Sequence, residues 1–274
     1  MRFAVIGGDA AGMSAASRAK RKQPKMEVTV LEQTRDVSYS ACGMPYNIAD
    51  PDREMDDLVV RHPHVFRDKQ GIDLRTGYRV ERIDPTAKII SGRTAKGHGF
   101  QLPYDRLLIA TGAAPIIPNM PGFDLPGVMP LKSLEDGRRI KRFIIERNVR
   151  RVVIIGMGYI ALEMCESFRT RGIEVDAVKP RPGLLPWMNE KLSAMVKDEI
   201  QVNGVNLYMG HEVRHIDKSG LNLRAICSDR ELEGQMILVA IGVKPNSRLA
   251  EDAGLQLGTN KAIAVNRTLL TSEK

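Results

Sequence analysis

At 274 residues, with 43% hydrophobic and 27% charged positions, 24 glycines and 15 prolines, the chain is long enough for two ordinary domains and excludes a disordered or fibrous protein. The 41 Lys and Arg outnumber the 33 Asp and Glu for a net charge of +8, but the basic residues are scattered and aromatics are sparse, so no nucleic-acid partner is expected; no apolar run approaches about 18 residues and no signal peptide leads the chain, so no membrane is expected either. Cys42, Cys165 and Cys227 are too widely spaced for a disulfide framework or a familiar zinc site, and reduced thiols, no metal and a cytoplasmic location are expected.

The first apolar run, FAVIG at 3–7, leads into GGDAAGMSAASRAKRK and then into MEVTVLE at 26–32. Strand, glycine turn, small-residue helix and a second strand ending on an acid form the opening of a dinucleotide-binding unit. Gly7 and Gly12 hold the outer positions of its glycine pattern, while Asp9 stands in the middle with Gly8 beside it. Glu32 is placed where a carboxylate accepts hydrogen bonds from a ribose, which predicts an unphosphorylated adenosine in this unit. The RAKRKQPK cluster at 18–25 reads as the solvated end of a helix.

The stretch VSYSACGMPYNI, 37–48, carries a single cysteine, Cys42, with no second cysteine within a turn or two. Next come GYRVERID (77–84) and LLIATG (107–112), followed by GAAPIIPNMPGFDLPGVMPLKS (112–133), whose five prolines read as a crossover. A helix pattern over 134–148 then leads to RVVIIGMGYIALEMCESFRTRGIEVDAVK, 151–179, which repeats the opening with Gly156 in the place of Gly7. GHEVRHID (210–217) and ILVAIG (237–242) repeat the other two segments in order, which predicts two related nucleotide-binding units. The expected domains are 1–117, a crossover linker and helix at 118–147, a second domain at 148–242, and a tail at 243–274.

Gly156, Gly158 and Ala161 fit G-x-G-x-x-A. Where the first unit has Glu32 the second has Lys179, with Arg181 close after it; cations there favour a 2′-phosphate, so NADPH is preferred over NADH, with a solvated Lys179 and NADH as the alternative. Cys165 and Cys227 read as buried side chains.

VIGGDAAGMSAA, VSYSACGMPYNI, LLIATGAAP, PGFDLPGV, VVIIGMGYIALE, VAIGVKPNS and VNRTLLTS together resemble the FAD-dependent pyridine nucleotide-disulfide oxidoreductases, in the single-cysteine branch of coenzyme A-disulfide reductases, persulfide reductases, NADH oxidases and NADH peroxidases. The resemblance implies an α/β fold of two Rossmann-like FAD- and NAD(P)-binding domains with parallel central sheets, the second inserted into the first and 243–274 returning to the first. It implies FAD contacts from Gly7, Gly8, Ala11, Gly12, Glu32, Gln33 and Ser40, from Val80 at the adenine, and from Ala110, Thr111 and Gly112 on the flavin side. Gly156, Gly158, Tyr159, Ile160, Glu163, Lys179, Arg181 and Gly242 are implied for the nicotinamide cofactor, with Tyr159 covering the flavin and Glu163 near the nicotinamide.

Cys42 matches the redox cysteine of that branch, with Ser40 and Tyr46 placed to shape its pocket. The implied cycle passes hydride from NADPH to FAD and electrons on to a Cys42 mixed disulfide with coenzyme A or to a persulfide. An oxidase or peroxidase using a Cys42 sulfenic acid, and a nucleotide-binding module without turnover, are the alternatives. The family is homodimeric and continues into a further FAD-contacting segment and a dimerisation domain, which are expected to be missing from a chain ending at Lys274, so that it is a fragment, is completed by another polypeptide, or has changed its task.

Overall fold

The computed structural model describes residues 1–185 and 187–273. In chain order its elements begin with β1 (Arg2–Ile6), α1 (Ala10–Lys22), β2 (Glu27–Glu32), α2 (Met44–Ala49), β3 (Asp73–Thr76), β4 (Tyr78–Asp84), β5 (Ile89–Thr94), β6 (Gly99–Pro103), β7 (Arg106–Ile109) and β8 (Ala113–Pro115). They continue with β9 (Val128–Met129), α3 (Leu134–Glu146), β10 (Arg151–Ile155), α4 (Tyr159–Thr170), β11 (Glu174–Lys179), α5 (Glu190–Val202) and β12 (Val205–Met209). The last are β13 (Val213–Ser219), β14 (Asn222–Cys227), β15 (Glu231–Gly234), β16 (Met236–Val239), β17 (Val243–Pro245) and α6 (Arg248–Asp252).

Two compact units result, one of Met1–Ser40, Leu58–Ala114 and Lys244–Lys274, the other of Ala41–Asp57 and Pro115–Val243. The second therefore interrupts the first in sequence. The fold is α/β, and each unit holds a parallel sheet, in the order β3-β2-β1-β7 in the first and β12-β11-β10-β16-β9 in the second.

In the first unit, β1 is sandwiched because its alternate side chains serve two cores. Val5 packs with Met13, Ala16, Val28, Val30 and Phe66, whereas Ala4 and Ile6 pack with Leu31, Ile83, Ile90 and Tyr104. A central parallel strand needs apolar residues on both faces, which is why FAVI reads as an unbroken run. Helix α1 ends on Lys20, Arg21 and Lys22, cations that suit the negative end of its dipole.

The second unit repeats this plan. Gly7 and Gly156 have φ of +110° and +108°. Their N–H groups donate to Leu31 O and Val178 O, each at 2.9 Å. The antiparallel trio β4-β5-β6 shifts register between Val80 and Arg82, and β13-β14-β15 does so between Val213 and His215. Val80 and Val213 occupy the same place in the repeated GYRVERID and GHEVRHID, so even the bulge is duplicated.

Two boundaries differ from those expected. Residues 41–57 were expected within a first domain of 1–117, but they pack in the second unit. The cause is α2, too short to satisfy its own carbonyls. Ser167 Oγ donates to Pro45 O at 2.7 Å, Arg171 to Ile48 O at 3.0 Å, and the Lys141 ammonium to Asn47 O at 2.9 Å. Residues 118–147 were expected as linker and helix; instead α3 is built into the second unit, with Leu134, Ile140 and Ile144 buried and a Ser133–Asp136 capping box closing its N-terminus. No helix among the described residues is long and apolar enough to cross a membrane.

Candidate functional site

In the first unit, the turn from β1 into α1 leaves no space for side chains. A Cβ on Gly7 would lie 2.2 Å from Ala110 O, and one on Gly12 only 1.9 Å from Gly7 O. Gly8 is hemmed in by Glu32 and Val37, and its N–H donates to Glu32 Oε2 at 2.7 Å. The other carboxylate oxygen of Glu32 accepts from the backbone N–H and hydroxyl of Thr34, both at 2.8 Å. Three of roughly four lone-pair positions are thus used, leaving one for a ligand hydroxyl. Ala11, in the first turn of α1, and Gln33, directly after β2, are exposed.

Asp9 departs from a plain glycine pattern, and the structure puts it at the start of α1 without a side-chain cap. Its Oδ1 is buried and has no hydrogen-bond partner among the described residues. Tyr39, which sequence reasoning passed over, is held well above its ordinary pKa by burial and then by the charges of Asp9, Glu32 and Asp36. A tyrosine inside a cysteine-bearing stretch carried no signal of that charge cluster.

Thr111 and Asn246 clasp each other: Thr111 Oγ1 donates to Asn246 O at 2.7 Å, and Asn246 Nδ2 donates to Thr111 O at 2.9 Å. Asn246 was also missed, although it lies in the VAIGVKPNS stretch. Gly112 beside them has φ +65° and an open flank, and Val80 lies at the bulge of β4. Ser40 is exposed, its N–H donating to Leu58 O at 2.8 Å.

The glycine turn of the second unit divides its tasks as a G-x-G-x-x-A pattern requires. Gly156 makes the bend, with a Cβ excluded at 2.3 Å from Ala240 O. Gly158 has nothing within 4 Å of its missing Cβ, so a phosphate can reach the backbone at the N-terminus of α4. Ala161 is fully buried, which lets α4 sit close on the sheet. Tyr159 and Ile160 are exposed at the first turn of α4, Glu163 is half-buried one turn on, and Gly242 has φ +124° and accepts from Ile116 N–H at 3.0 Å.

Lys179 was expected as a cation for a 2′-phosphate, with a solvated strand end as the alternative. It is 92% buried at the end of β11, and its ammonium turns back to the Gly183 carbonyl. Burial and then Arg181 lower its pKa. It therefore shapes the following loop rather than extending as a solvated strand end, while Arg181 is exposed on that loop. The same loop brings Trp187 to Tyr159, with ring centroids 5.6 Å apart and the indole N–H donating to the Tyr159 hydroxyl at 3.1 Å. Nothing in the spacing of these two aromatics announced that contact.

Cys42 belongs to the second unit and is exposed in the turn Ala41–Gly43 that precedes α2. Cys165 and Cys227 are buried, and burial pushes Cys165 up to about 12 and raises Cys227 as well. Burial therefore disfavours the thiolate form of both.

The whole chain, residues 1–274, matches the model of the pyridine nucleotide-disulphide oxidoreductase family. The chain belongs to that family. The family implies FAD and NAD(P) as cofactors. The chain is 35% identical to the CoA-dependent NAD(P)H sulfur oxidoreductase of Pyrococcus furiosus, covering 99% of this chain and 60% of the relative. It is 32% identical to an NADH oxidase of Methanocaldococcus jannaschii, covering 99% and 61%. The solved NAD-dependent persulfide reductase from A. fulgidus superposes with a TM-score of 0.94 at 33% identity, covering 99% of this chain and 51% of the other. The chain spans about 60% of the length of the curated relatives it matches.

Proposed function

We propose that this chain provides the FAD, NAD(P)H and thiol elements of an oxidoreductase that reduces a disulfide, persulfide or polysulfide, with coenzyme A disulfide as the model substrate. The observation that carries this reading is the contrast among its cysteines: Cys42 alone is exposed, while Cys165 and Cys227 are sealed in the core. The names of the Pyrococcus furiosus and A. fulgidus relatives point to the same chemistry.

In this reading the first turn, Gly7, Gly8, Ala11 and Gly12, holds the pyrophosphate of FAD. Glu32 and Gln33 take the ribose, Val80 meets the adenine through its backbone, and Ser40, Ala110, Thr111 and Gly112 line the flavin side. The close backbone packing at Gly7 and Gly12 and the spare acceptor on Glu32 support that fit. Gly156, Gly158, Tyr159, Ile160, Glu163 and Gly242 serve the nicotinamide dinucleotide. Bound FAD supplies the relay by which a hydride's electron pair reaches sulfur.

The Cys42 sulfur attacks one sulfur of the substrate disulfide and expels the other half as a thiol. This leaves a mixed disulfide, which an electron pair and two protons cleave to release the second thiol and restore the Cys42 thiol. Mass spectrometry of the isolated protein tests this. The expected state is a coenzyme A adduct on Cys42 that NAD(P)H removes with bleaching of the flavin. One added oxygen on Cys42, with turnover of oxygen or peroxide only, would instead establish the oxidase reading suggested by the name of the Methanocaldococcus relative. A colourless protein that NAD(P)H leaves unchanged would reduce the chain to a binding module.

NADPH is preferred in this proposal through Arg181, since Lys179 is occupied by Gly183. Loss of one charge-assisted bond to a 2′-phosphate is worth about ten-fold. Arg181→Ala is expected to raise KM for NADPH by about that factor and leave KM for NADH unchanged; equal effects on both would remove the preference.

A further inference from the structure

An aspartate directly before a helix is among the preferred caps, because its carboxylate accepts from the free N–H groups of the first turn. Asp9 stands at that position before α1, extended at φ −97°, and yet makes no side-chain cap. Its Oδ1 is buried without a hydrogen-bond partner among the described residues. The carboxylate has turned away from the helix end, and the amides of residues 11 and 12 stay open to another anion.

Residues 37–39 account for that placement. The Ser38 N–H donates to Gly8 O at 3.1 Å, and Val37 Cγ1 lies 2.9 Å from where a Cβ on Gly8 would stand, so this segment is laid against the glycine turn. It is fixed by its other neighbours as well. Val60 N–H donates to Ser38 O and Ser40 N–H to Leu58 O, each at 2.8 Å, and Tyr39 pairs with Val59 in an antiparallel bridge. Ser38 itself has φ +49°, a left-handed conformation that a non-glycine residue keeps when its surroundings hold it. The half-buried Tyr39 is thus set firmly beside a group of carboxylates. Burial and then the charge of Asp9, ahead of those of Glu32 and Asp36, keep the proton on its hydroxyl, and Asp9 also acts on it as a hydrogen-bond acceptor.

We propose that Tyr39 is a positioning residue for FAD: it draws the Asp9 carboxylate off the N-terminus of α1 and so leaves that helix end to the pyrophosphate. This rests on the reading of the first unit as the FAD site. Without Tyr39, Asp9 is a rival of the ligand, since the same two amides serve a carboxylate cap and a phosphate. Glycine at residue 9 needs no such partner, so the aspartate and the tyrosine work as one device.

The test measures binding to the flavin-free full chain, of FAD by the quenching of its fluorescence and of ADP by calorimetry. Tyr39→Phe removes the hydroxyl and keeps the ring, so the carboxylate is released to cap α1, and affinity for FAD and for ADP should fall about ten-fold. Asp9→Gly alone should bind both at least as tightly as the parent. Adding Asp9→Gly to Tyr39→Phe should restore parental affinity, a rescue that a merely structural loss at residue 39 would not show. Unchanged affinity in Tyr39→Phe, weaker binding in Asp9→Gly, or a double variant as weak as Tyr39→Phe would each overturn the pair, while parental binding leaves the FAD site standing. A parent that binds neither FAD nor ADP would overturn that site and the pair with it.

Discussion

Replacing Cys42 by serine is expected to lower disulfide and persulfide turnover by about a thousand-fold or more, while NAD(P)H still bleaches the flavin at an unchanged rate. The two half-reactions separate because the nucleotide turns are built without the cysteine: the bend at Gly156 is set against Ala240 and that at Gly7 against Ala110. Serine preserves the size and polarity of the exposed position but cannot form or exchange a disulfide. No other cysteine can take over, since Cys165 is buried with its thiol pushed up to about 12, and Cys227 is buried and raised in the same direction. Stopped-flow reduction at the flavin absorbance band, run beside a steady-state assay with coenzyme A disulfide or polysulfide, measures the two halves. Full turnover in Cys42→Ser would place the sulfur chemistry elsewhere, and loss of flavin reduction would show that the cysteine supports the fold rather than the reaction.

What was legible from residues alone was local. A glycine at +110° or +108° is demanded by the bend itself, so Gly7 and Gly156 mark their turns without knowledge of any distant neighbour. The strand pattern leading into each turn is equally local, and the duplicated bulges at Val80 and Val213 follow from repeated sequence. The contacts that escaped are those made across long stretches of chain. Nothing near Cys42 states that Pro45 will be met by a serine 122 positions later, yet that bond helps to carry 41–57 into the second unit. Lys179 was harder to read for a different reason. Its charge suggested a partner for a 2′-phosphate, but the residues before it in β11 are buried on both faces, and its stem follows them inward until the ammonium finds a carbonyl in its own loop.

Lys141→Met should destabilise the second unit by on the order of 3–5 kcal/mol. The native ammonium has three N–H bonds for four oxygens, and it uses all of them. Asn47 O lies at 2.9 Å, Asn47 Oδ1 at 3.1 Å and Asp50 O at 2.7 Å, and Arg53 O is the fourth acceptor. Burial, and then Arg171, lower the lysine pKa, while Glu54 and Asp50 oppose them. Desolvation thus works against the charge, and the ring of carbonyls compensates by requiring it. Methionine fills the same volume with no donor and leaves buried acceptors at the end of α2 unmet. Arginine does not rescue the site, because a planar fork cannot converge on oxygens arranged around one point. For a unit of this size the loss corresponds to a fall in Tm of about 10 °C. Hydrogen exchange locates it: amides of residues 44–53 should lose protection while those of β10 and β11 keep theirs. The segment so loosened begins two residues after Cys42, so the variant should also slow sulfur turnover more than it slows reduction by NAD(P)H. Unchanged exchange in 44–53 together with a Tm within about 2 °C of the parent would mean that the carbonyl ring is satisfied without the lysine, and that the cysteine segment is held by α4 alone through Ser167 and Arg171.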